Sequence, residues 1–245
     1  MTQKTALVTG GSTGIGAAIA KHLADEGFKV LITGRNEKTL VESSSQHDNI
    51  DFIISDVSKH DDVVKTVEHI SNIYGRLDVL VNNAGVATPI PFEEISLQHY
   101  DDIFNINVRG LIDMTQASLP LLKESKGNII NIASIVADDP FAGFTIYSAS
   151  KGAVITLTKG LAKELSGFGI RVNAVSPGPI ATPLFDKMGL SEEEQSGMGE
   201  SIQDMVPLGR FGTPDEIATA VAFLASEKAT YVTGAQYKVD GGIAA

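Results

Sequence analysis

A tyrosine and a lysine lie four residues apart in the stretch "YSASK", from Tyr147 to Lys151, at the start of an otherwise apolar segment. If this segment is helical, both side chains project from one face, a single turn apart. A free phenol has a pKa of about 10, and a neighbouring ammonium favours the phenolate. The pair could therefore exchange a proton with a reacting oxygen near neutral pH. The spacing also arises by accident of packing, so other parts of the chain must decide.

A glycine-rich turn follows the first apolar run of the chain, between Thr9 and Gly16. Its spaced glycines are Gly10, Gly14 and Gly16, so it differs from the ordinary G-x-G-x-x-G dinucleotide fingerprint. Such a turn from a buried strand into a helix lets the backbone approach a pyrophosphate, and the helix N-terminus adds partial positive charge. The alternative is a tight turn that needs glycine only for its dihedral angles. The position at the first strand-to-helix junction favours phosphate binding.

Short apolar runs alternate with helix-length segments along the chain. The runs lack polar alternation, which is typical of buried parallel strands. Predicted strands are residues 4–9, 28–33, 50–55, 77–81, 127–133 and 169–175, with a last short strand at 235–240. Repeated strand and helix units predict a Rossmann-type doubly wound parallel sheet of about seven strands, flanked by helices on both faces. We expect residues 1–245 to form this single α/β domain.

Two helix boundaries and one irregular segment can be located. The first helix is expected to end at Gly27, and Thr213 with Glu216 predicts a capping box that has Pro214 at the first helical position. Residues 185–206 are polar and acidic, and they offer neither a strand run nor a strong helical stripe. This segment is either a solvated surface insertion or a lid over the carboxyl edge of the sheet, where ligands of open α/β folds bind.

Composition narrows the classes of function. The 245 residues carry a net charge of −11, which disfavours binding to nucleic acid or to an anionic membrane surface. There is no cysteine, which excludes thiol catalysis, and the five histidines form no metal-ligand cluster in the sequence. No apolar run approaches the length of a membrane span, and the N-terminus lacks the pattern of a signal peptide. The sequence predicts a soluble, cytoplasmic protein that acts on a small molecule.

Polar residues follow the fourth and fifth predicted strands. Asn82–Gly85, "NNAG", comes after the fourth strand, where a doubly wound sheet reverses direction, and Ser134 ends the fifth. Asn107 lies between apolar neighbours inside a predicted helix. Each has an ordinary structural explanation when taken alone, because amides and hydroxyls in such places often satisfy backbone groups.

Taken together, these elements resemble the classical short-chain dehydrogenase/reductase family. The resemblance consists of T-G-x-x-x-G-I-G, then N-N-A-G, Asn107, Ser134, Tyr147, Lys151, Pro177-Gly178 and the closing "VDGG" at 239–242, and it covers essentially the whole chain. It implies that Tyr147 is the general acid/base, and that Lys151 holds the nicotinamide ribose and keeps the phenol acidic. It also implies that Ser134 bonds the reacting oxygen, and that Asn107 positions a water of a proton relay to Lys151.

The same resemblance implies a set of cofactor contacts at the ends of the strands. They are Gly10, Ser12, Thr13, Gly14, Ile15, Gly16, Arg35, Asp56, Val57, Asn83, Ala84, Gly85, Tyr147, Lys151, Pro177, Gly178, Ile180 and Thr182. No metal is implied.

The end of the second predicted strand bears on which nicotinamide cofactor is used. Folds that prefer NAD normally place an acid there to bind the adenosine ribose, but this chain has Gly34, followed by Arg35. Glycine leaves room for a 2′-phosphate, and a guanidinium suits bidentate phosphate binding. Thr13, in contrast, is not the basic residue that often reinforces this preference in the family, and Arg35 could stack on adenine instead. NADP(H) is therefore favoured over NAD(H).

Three functions stay open at this point: reduction of a small ketone or oxidation of an alcohol, reduction of a 3-oxoacyl thioester, and nucleotide sensing without chemistry. A carrier-protein thioester is disfavoured because Glu93 and Glu94 stand where reductases that dock an acidic carrier usually have basic residues, whereas a coenzyme A thioester remains compatible. A sensing role is disfavoured because Tyr147 and Lys151 are both present. Apolar candidates for the substrate pocket are Phe141, Phe144, Leu184, Phe185, Met188 and Met205.

A homotetramer is expected from the family resemblance. The predicted helix 147–165 supports it locally, because it carries small and apolar residues away from the face of Tyr147 and Lys151, and such a face suits packing across a symmetry axis. These residues are Ala149, Ala153, Thr156, Leu157 and Gly160.

Overall fold

A computed structural model describes residues 3–182 and 192–245 of the protein. Among these residues, one sheet contains the strands β1 (Thr5–Val8), β2 (Lys29–Gly34), β3 (Ile50–Ile54), β4 (Val79–Asn82), β5 (Asn128–Ile132), β6 (Arg171–Pro177) and β7 (Gln236–Val239). Their spatial order is β3-β2-β1-β4-β5-β6-β7, and every neighbouring pair is parallel. This confirms the predicted doubly wound sheet, which changes direction between β1 and β4.

Helices cover both faces of the sheet. They are α1 (Gly14–Asp25), α2 (Glu37–Ser44), α3 (His60–Ile73), α4 (Leu97–Phe104), α5 (Leu111–Ser125), α6 (Thr145–Leu165), α7 (Glu192–Met205) and α8 (Pro214–Ala225). A π-helical turn, Asn105–Gly110, joins α4 to α5, so the single helix expected across Asn107 is interrupted there. Within the described part of the chain, no helix combines the length and the apolar character needed to span a membrane.

Two apolar cores lie on the two sides of the sheet, because successive residues of a strand point in opposite directions. In β1, Ala6 and Val8 belong to the core formed with α1 and α8, whereas Leu7 belongs to the core formed with α3 and α5. The residues of β1, β4 and β5 are all buried, which explains why these strands show no alternation of polar and apolar residues. Burial on both sides holds these strands in the centre of the sheet. Because all the strands are parallel, their carboxyl ends lie at one edge of the sheet.

Both predicted helix boundaries are present in the structure. After α1, Gly27 has a φ of +90°, its N–H donates to Ala24 O at 2.9 Å, and the N–H of Phe28 donates to Leu23 O at 3.0 Å. This left-handed ending requires glycine. At the start of α8, Glu216 Oε2 accepts a hydrogen bond from the N–H of Thr213 at 2.8 Å, as a capping box does.

Part of the irregular segment 185–206 is helical, although its sequence shows no strong helical stripe. Helix α7 covers Glu192–Met205. The segment after it is fixed by tertiary contacts, since Val206 is buried and the N–H of Leu208 donates to Gly241 O at 3.2 Å. Residues 183–191, which include the first part of the predicted lid (185–191), lie outside the described residues.

Candidate active site

A cleft of about 810 Å³ opens along the carboxyl ends of the strands, beside the point where β1 and β4 are neighbours. Its lining includes all the residues that the sequence assigns to the cofactor, from Gly10 to Thr182, and it also includes Ser134. These residues lie far apart in the chain and meet because parallel strands end at a common edge.

The glycine turn at one end of the cleft needs glycine for two different reasons. Gly10 and Gly14 have φ values of +63° and +53°, in the left-handed region that side chains rarely adopt. A Cβ on Gly16 would overlap the carbonyl oxygen of Gly10 and come within 2.5 Å of Asn83 Nδ2. The turn therefore exposes backbone without side chains at the start of α1, which is the geometry that accepts a pyrophosphate. The residues present fit a dinucleotide.

Asn83 ties this turn to the loop after β4. Its Nδ2 donates to Thr9 O at 2.9 Å and to Gly10 O at 3.0 Å. In return, Thr9 Oγ1 accepts from the N–H groups of Asn83 and Ala84, each at 3.0 Å. The amide of Asn83 thus satisfies loop backbone, which was one of the two interpretations open from sequence, while its position still forms part of the cleft wall.

Tyr147 and Lys151 lie in the first turns of α6, and Ser134 lies just beyond the end of β5. The Ser134 side chain is close enough to the Tyr147 phenol to lower its pKa. Lys151 is buried, its Nζ donates to Ile132 O at 2.8 Å, and the same atom lies 5.7 Å from the centroid of the Tyr147 ring. The structure therefore brings the hydroxyl, the phenol and the ammonium together at one end of the cleft.

Burial controls the protonation of this pair. It raises the pKa of Tyr147 to about 12, because a phenolate is poorly solvated there, although the Ser134 side chain acts in the opposite direction. Burial likewise lowers the pKa of Lys151 to about 8. In the cofactor-free protein desolvation prevails, and the role of the Lys151 ammonium in keeping the phenol acidic stays a prediction. The phenol is protonated at neutral pH.

Asn107 is buried beside the cleft in the π-helical turn and is not among the described residues that line it. Its Oδ1 accepts from the N–H of Val86 at 2.9 Å, and its Nδ2 donates to Val86 O and to Ser150 Oγ, each at 3.0 Å. Both amide protons are therefore used within the protein. A π-helical turn is frequent at functional sites, and here it carries Asn107 between two segments of the cleft wall.

Gly85 leaves space between Asn107 and Lys151. A Cβ on Gly85 would lie 3.3 Å from Asn107 Oδ1 and 3.5 Å from Lys151 Nζ, so both atoms face the same small volume. A side chain at this position would enter that volume.

Charged groups in the cleft are few. Among the described lining residues the cations are Arg35 and Lys151, and the carboxylate is Asp56. Asp56 is engaged by Ser58, whose N–H and hydroxyl donate to its Oδ1 at 3.0 and 2.7 Å. Burial acts to raise the pKa of Asp56, but these hydrogen bonds hold it below its usual value. Arg35 is exposed and, within the described part of the chain, has no carboxylate at ion-pair distance. In that same part, no cluster of acidic and histidine side chains is arranged to hold a metal.

The end of the cleft near Tyr147 is apolar. Phe141 and Phe144 line it as predicted, and the Phe144 ring meets the Tyr147 ring edge-on with centroids 6.2 Å apart. Met205 is 52% exposed and is absent from the described lining, so its assignment to the pocket is wrong. Leu184, Phe185 and Met188 lie outside the described residues.

Asp138 has a structural role. It accepts a hydrogen bond from Gln236 Nε2 at 2.7 Å and pairs with Lys238 Nζ at 3.2 Å, which joins the loop after β5 to strand β7.

Several lining residues were not identified from sequence. Val86, Ala87 and Thr88 continue the loop after β4, and Ile106 precedes Asn107 in the π-helical turn. Ile202 comes from α7, and it could have been identified from sequence because it is an apolar residue within an acidic run. The loop residues carried no such signal, because ordinary small and apolar side chains look the same in a pocket and in a core.

Comparisons with known proteins agree on one family. A family model described as enoyl-(acyl carrier protein) reductase matches residues 10–244. The chain is 39% identical to the 3-oxoacyl-(acyl-carrier-protein) reductase FabG of Thermotoga maritima, over 98% of this chain and 97% of that protein. It is 38% identical to L-fucose dehydrogenase of Bos taurus, over 98% and 88%. The crystal structure of a 3-ketoacyl-(acyl-carrier-protein) reductase from Brucella melitensis, complexed with NADH, superposes with a TM-score of 0.93 at 36% identity and covers 99% of this chain and 98% of its own.

The parallel sheet, the cleft at its carboxyl edge and the full-length similarity to these enzymes lead to one conclusion. The chain belongs to the short-chain dehydrogenase/reductase family, whose members are nicotinamide-dependent oxidoreductases acting on CH–OH groups.

Proposed function

We propose that this protein reduces a neutral, apolar ketone to a secondary alcohol, with NADPH as the preferred cofactor. The observation that carries the proposal is the convergence of Ser134, Tyr147 and Lys151 beside an apolar pocket at one end of a dinucleotide-sized cleft. Among the described lining residues at this end, Lys151 is the charged group, so the site has no second cation for a substrate carboxylate.

The roles of the side chains follow from their positions. The bound cofactor supplies a hydride to the carbonyl carbon. The hydroxyl of Ser134 donates a hydrogen bond to the carbonyl oxygen, and Tyr147 transfers its phenolic proton to that oxygen as negative charge develops. The high pKa of Tyr147 in the free protein keeps this proton in place before reaction. The ammonium of Lys151 then stabilises the phenolate that remains.

The phenolate must be reprotonated before another turnover. The space beside Gly85, which faces both Asn107 Oδ1 and Lys151 Nζ, suits a water molecule that passes a proton toward Lys151. In this proposal Asn107 holds the wall of that space through its bonds to Val86, and its remaining acceptor capacity orients the water.

Replacing Tyr147 tests the mechanism. Tyr147→Phe should remove turnover by a factor of at least about 10³ and leave NADPH affinity nearly unchanged, because only the proton donor is lost. Turnover is followed by cofactor absorbance, and affinity by fluorescence titration. Tyr231→Phe is the matched control, since Tyr231 is fully exposed, and it should behave as the unaltered enzyme. Comparable turnover in Tyr147→Phe would exclude Tyr147 as the proton donor.

The preference for NADPH rests on the end of β2. Arg35 is exposed and lines the cleft, and no carboxylate of the described residues lies within ion-pair distance of it, although Asp56 interacts with it electrostatically from farther away. Its guanidinium can therefore bind a 2′-phosphate. A Cβ at Gly34 would lie 3.3 Å from Ser12 Oγ and 3.4 Å from Leu40 Cδ2, so a larger side chain would narrow this end of the cleft. With glycine at position 34, the phosphate meets the cation of Arg35 and no acid at the end of β2.

The test is to measure kcat/KM for NADPH and NADH in the unaltered enzyme, in Gly34→Asp and in Gly34→Ala. A carboxylate about 4–6 Å from the phosphate repels it by about 1–3 kcal/mol after allowance for solvent, so Gly34→Asp should lose about 10- to 100-fold with NADPH. Gly34→Ala adds the Cβ without the charge and should affect both cofactors alike. A several-fold preference of the unaltered enzyme for NADH, or equal losses in Gly34→Asp and Gly34→Ala, would refute the argument.

A second candidate is reduction of 3-oxoacyl thioesters, which the similarity to two 3-oxoacyl-(acyl-carrier-protein) reductases favours. Glu93 and Glu94 are exposed on a 3₁₀ turn, Phe92–Glu94, beyond the loop whose Ile90 N–H donates to Gly143 O at 2.9 Å at the mouth of the cleft. These charges repel an acidic carrier protein, so a coenzyme A thioester is the better candidate of this class. Assays with a simple apolar ketone, a 3-oxoacyl coenzyme A and the same acyl group on a carrier protein separate the three cases by kcat/KM.

A further inference from the structure

Ser150 lies in the first turns of α6, between Tyr147 and Lys151, and is fully buried. Its hydroxyl donates to Tyr147 O at 2.6 Å and accepts from Asn107 Nδ2 at 3.0 Å. It is not among the described residues that line the cleft, so it has no direct route to substrate or cofactor. Its contacts are with residues of the proposed proton-transfer system.

These hydrogen bonds continue into the cleft wall. Asn107 uses its other two bonds on the backbone of Val86, directly after Gly85. Three segments are therefore joined through two side chains: the first turns of α6, the π-helical turn and the loop after β4. They carry, respectively, Tyr147 with Lys151, Asn107, and the open space at Gly85.

Ser148 shows that burial of a serine in this helix does not by itself produce such a link. It lies two residues before Ser150 on α6 and is also buried, at 6% exposure. Within the described part of the chain its Oγ has no hydrogen-bond partner. The two serines share residue type, helix and burial, and they differ in their connection to Asn107.

We propose that Ser150 is a positioning residue that fixes the turn carrying Tyr147 and Lys151 against Asn107 and the loop after β4. The inference rests on the proposed function, since it matters for catalysis only if Tyr147 and Lys151 transfer the proton. Without the hydroxyl, one N–H of Asn107 is left buried without its partner, and α6 loses its polar connection to the π-helical turn. The distance from the phenol to the reacting oxygen then varies more widely, and proton transfer is sensitive to displacements below 1 Å.

Two kinetic measurements on Ser150→Ala, with Ser148→Ala as the matched control, test this. We expect kcat to fall about tenfold in Ser150→Ala while KM for NADPH changes less than about twofold, because most of the proposed cofactor contacts, including the glycine turn and Arg35, lie elsewhere in the cleft. Ser148→Ala should retain kcat within about twofold. Equal kcat values in the two variants, or a loss in Ser150→Ala confined to KM, would overturn the proposal.

Hydrogen exchange of the cofactor-free protein gives a readout that does not depend on activity. The N–H of Val86 donates to Asn107 Oδ1, so its exchange should accelerate in Ser150→Ala and stay unchanged in Ser148→Ala. Unchanged exchange at Val86 in Ser150→Ala would also overturn the proposal. If Ser150→Ala does not fold, Ser150→Cys keeps the shape and weakens both bonds, and the same outcomes apply to it. Failure of the proposed function can be told apart from failure of the Ser150 proposal with Tyr147→Phe. If Tyr147 is not the proton donor, Tyr147→Phe remains active, and this result does not depend on the outcome for the Ser150 variants.

Discussion

Replacing Lys151 by methionine is expected to stabilise the cofactor-free protein while it removes activity. Lys151 is 5% exposed, and burial lowers its pKa from 10.5 to about 8. Each pKa unit corresponds to about 1.4 kcal/mol, so the charged lysine destabilises the fold by about 3 kcal/mol at pH 7. Methionine is similar in length and uncharged, but it forfeits the hydrogen bond to Ile132 O, worth about 1 kcal/mol. The net gain in the free energy of unfolding is about 2 kcal/mol.

The gain must depend on pH in a defined direction. The unfolded chain keeps the proton of Lys151 up to about pH 10.5, whereas the folded protein releases it near pH 8. Between these values the unfolded state binds more protons, so the stability of the unaltered protein rises with pH. The methionine variant lacks this contribution. Its advantage is therefore largest below pH 8 and disappears as the pH approaches 10.5.

Denaturant unfolding of the cofactor-free protein at pH 7, 9 and 10.5 measures this difference. Lys159→Met is the matched control, because Lys159 is exposed on the same helix; its effect should be small at every pH. A pH-independent difference between Lys151→Met and the unaltered protein would refute the reasoning, and so would a destabilised variant at pH 7. Confirmation would mean that the fold retains a destabilising lysine for its chemistry, as many active sites do.

Two further predictions concern the water space and the assembly. Gly85→Ala places a Cβ 3.3 Å from Asn107 Oδ1 and 3.5 Å from Lys151 Nζ, in the space proposed for the water, so kcat should fall about tenfold. Steady-state kinetics that give an unchanged kcat would exclude a water there. A homotetramer is expected because the outer face of α6 carries small, exposed residues, including Ala149 and Thr156, and a Cβ on Gly160 would meet open space. Light scattering should give about four times the 25.9 kDa chain mass, and a monomer mass would reject the assembly.

The sequence alone determined where the strands lie along the chain, that they form a parallel sheet, and at which edge of the sheet the site lies. Apolar runs such as 127–133 identify buried strands because both faces of a central parallel strand are covered, and this shows in the residues themselves. Once the strands are parallel, their carboxyl ends share an edge, so Gly10, Ser134 and the loop after β4 must come near one another. The helix end at Gly27 could also be predicted from sequence, because a residue in the left-handed conformation at the end of a helix is usually glycine, and this is a local requirement.

Only the tertiary structure decided what each polar side chain does. Asn107 bonds to residues 21 and 43 positions away in the chain, and no local pattern specifies those partners. Ser148 and Ser150 are the same residue type two positions apart, yet one hydroxyl is bonded to Asn107 and the other has no partner among the described residues. The pKa of Tyr147 follows the same rule, because desolvation raises it and that burial comes from segments distant in the chain. Hydrogen-bond partners and burial are non-local quantities, whereas strand and helix periodicity is local.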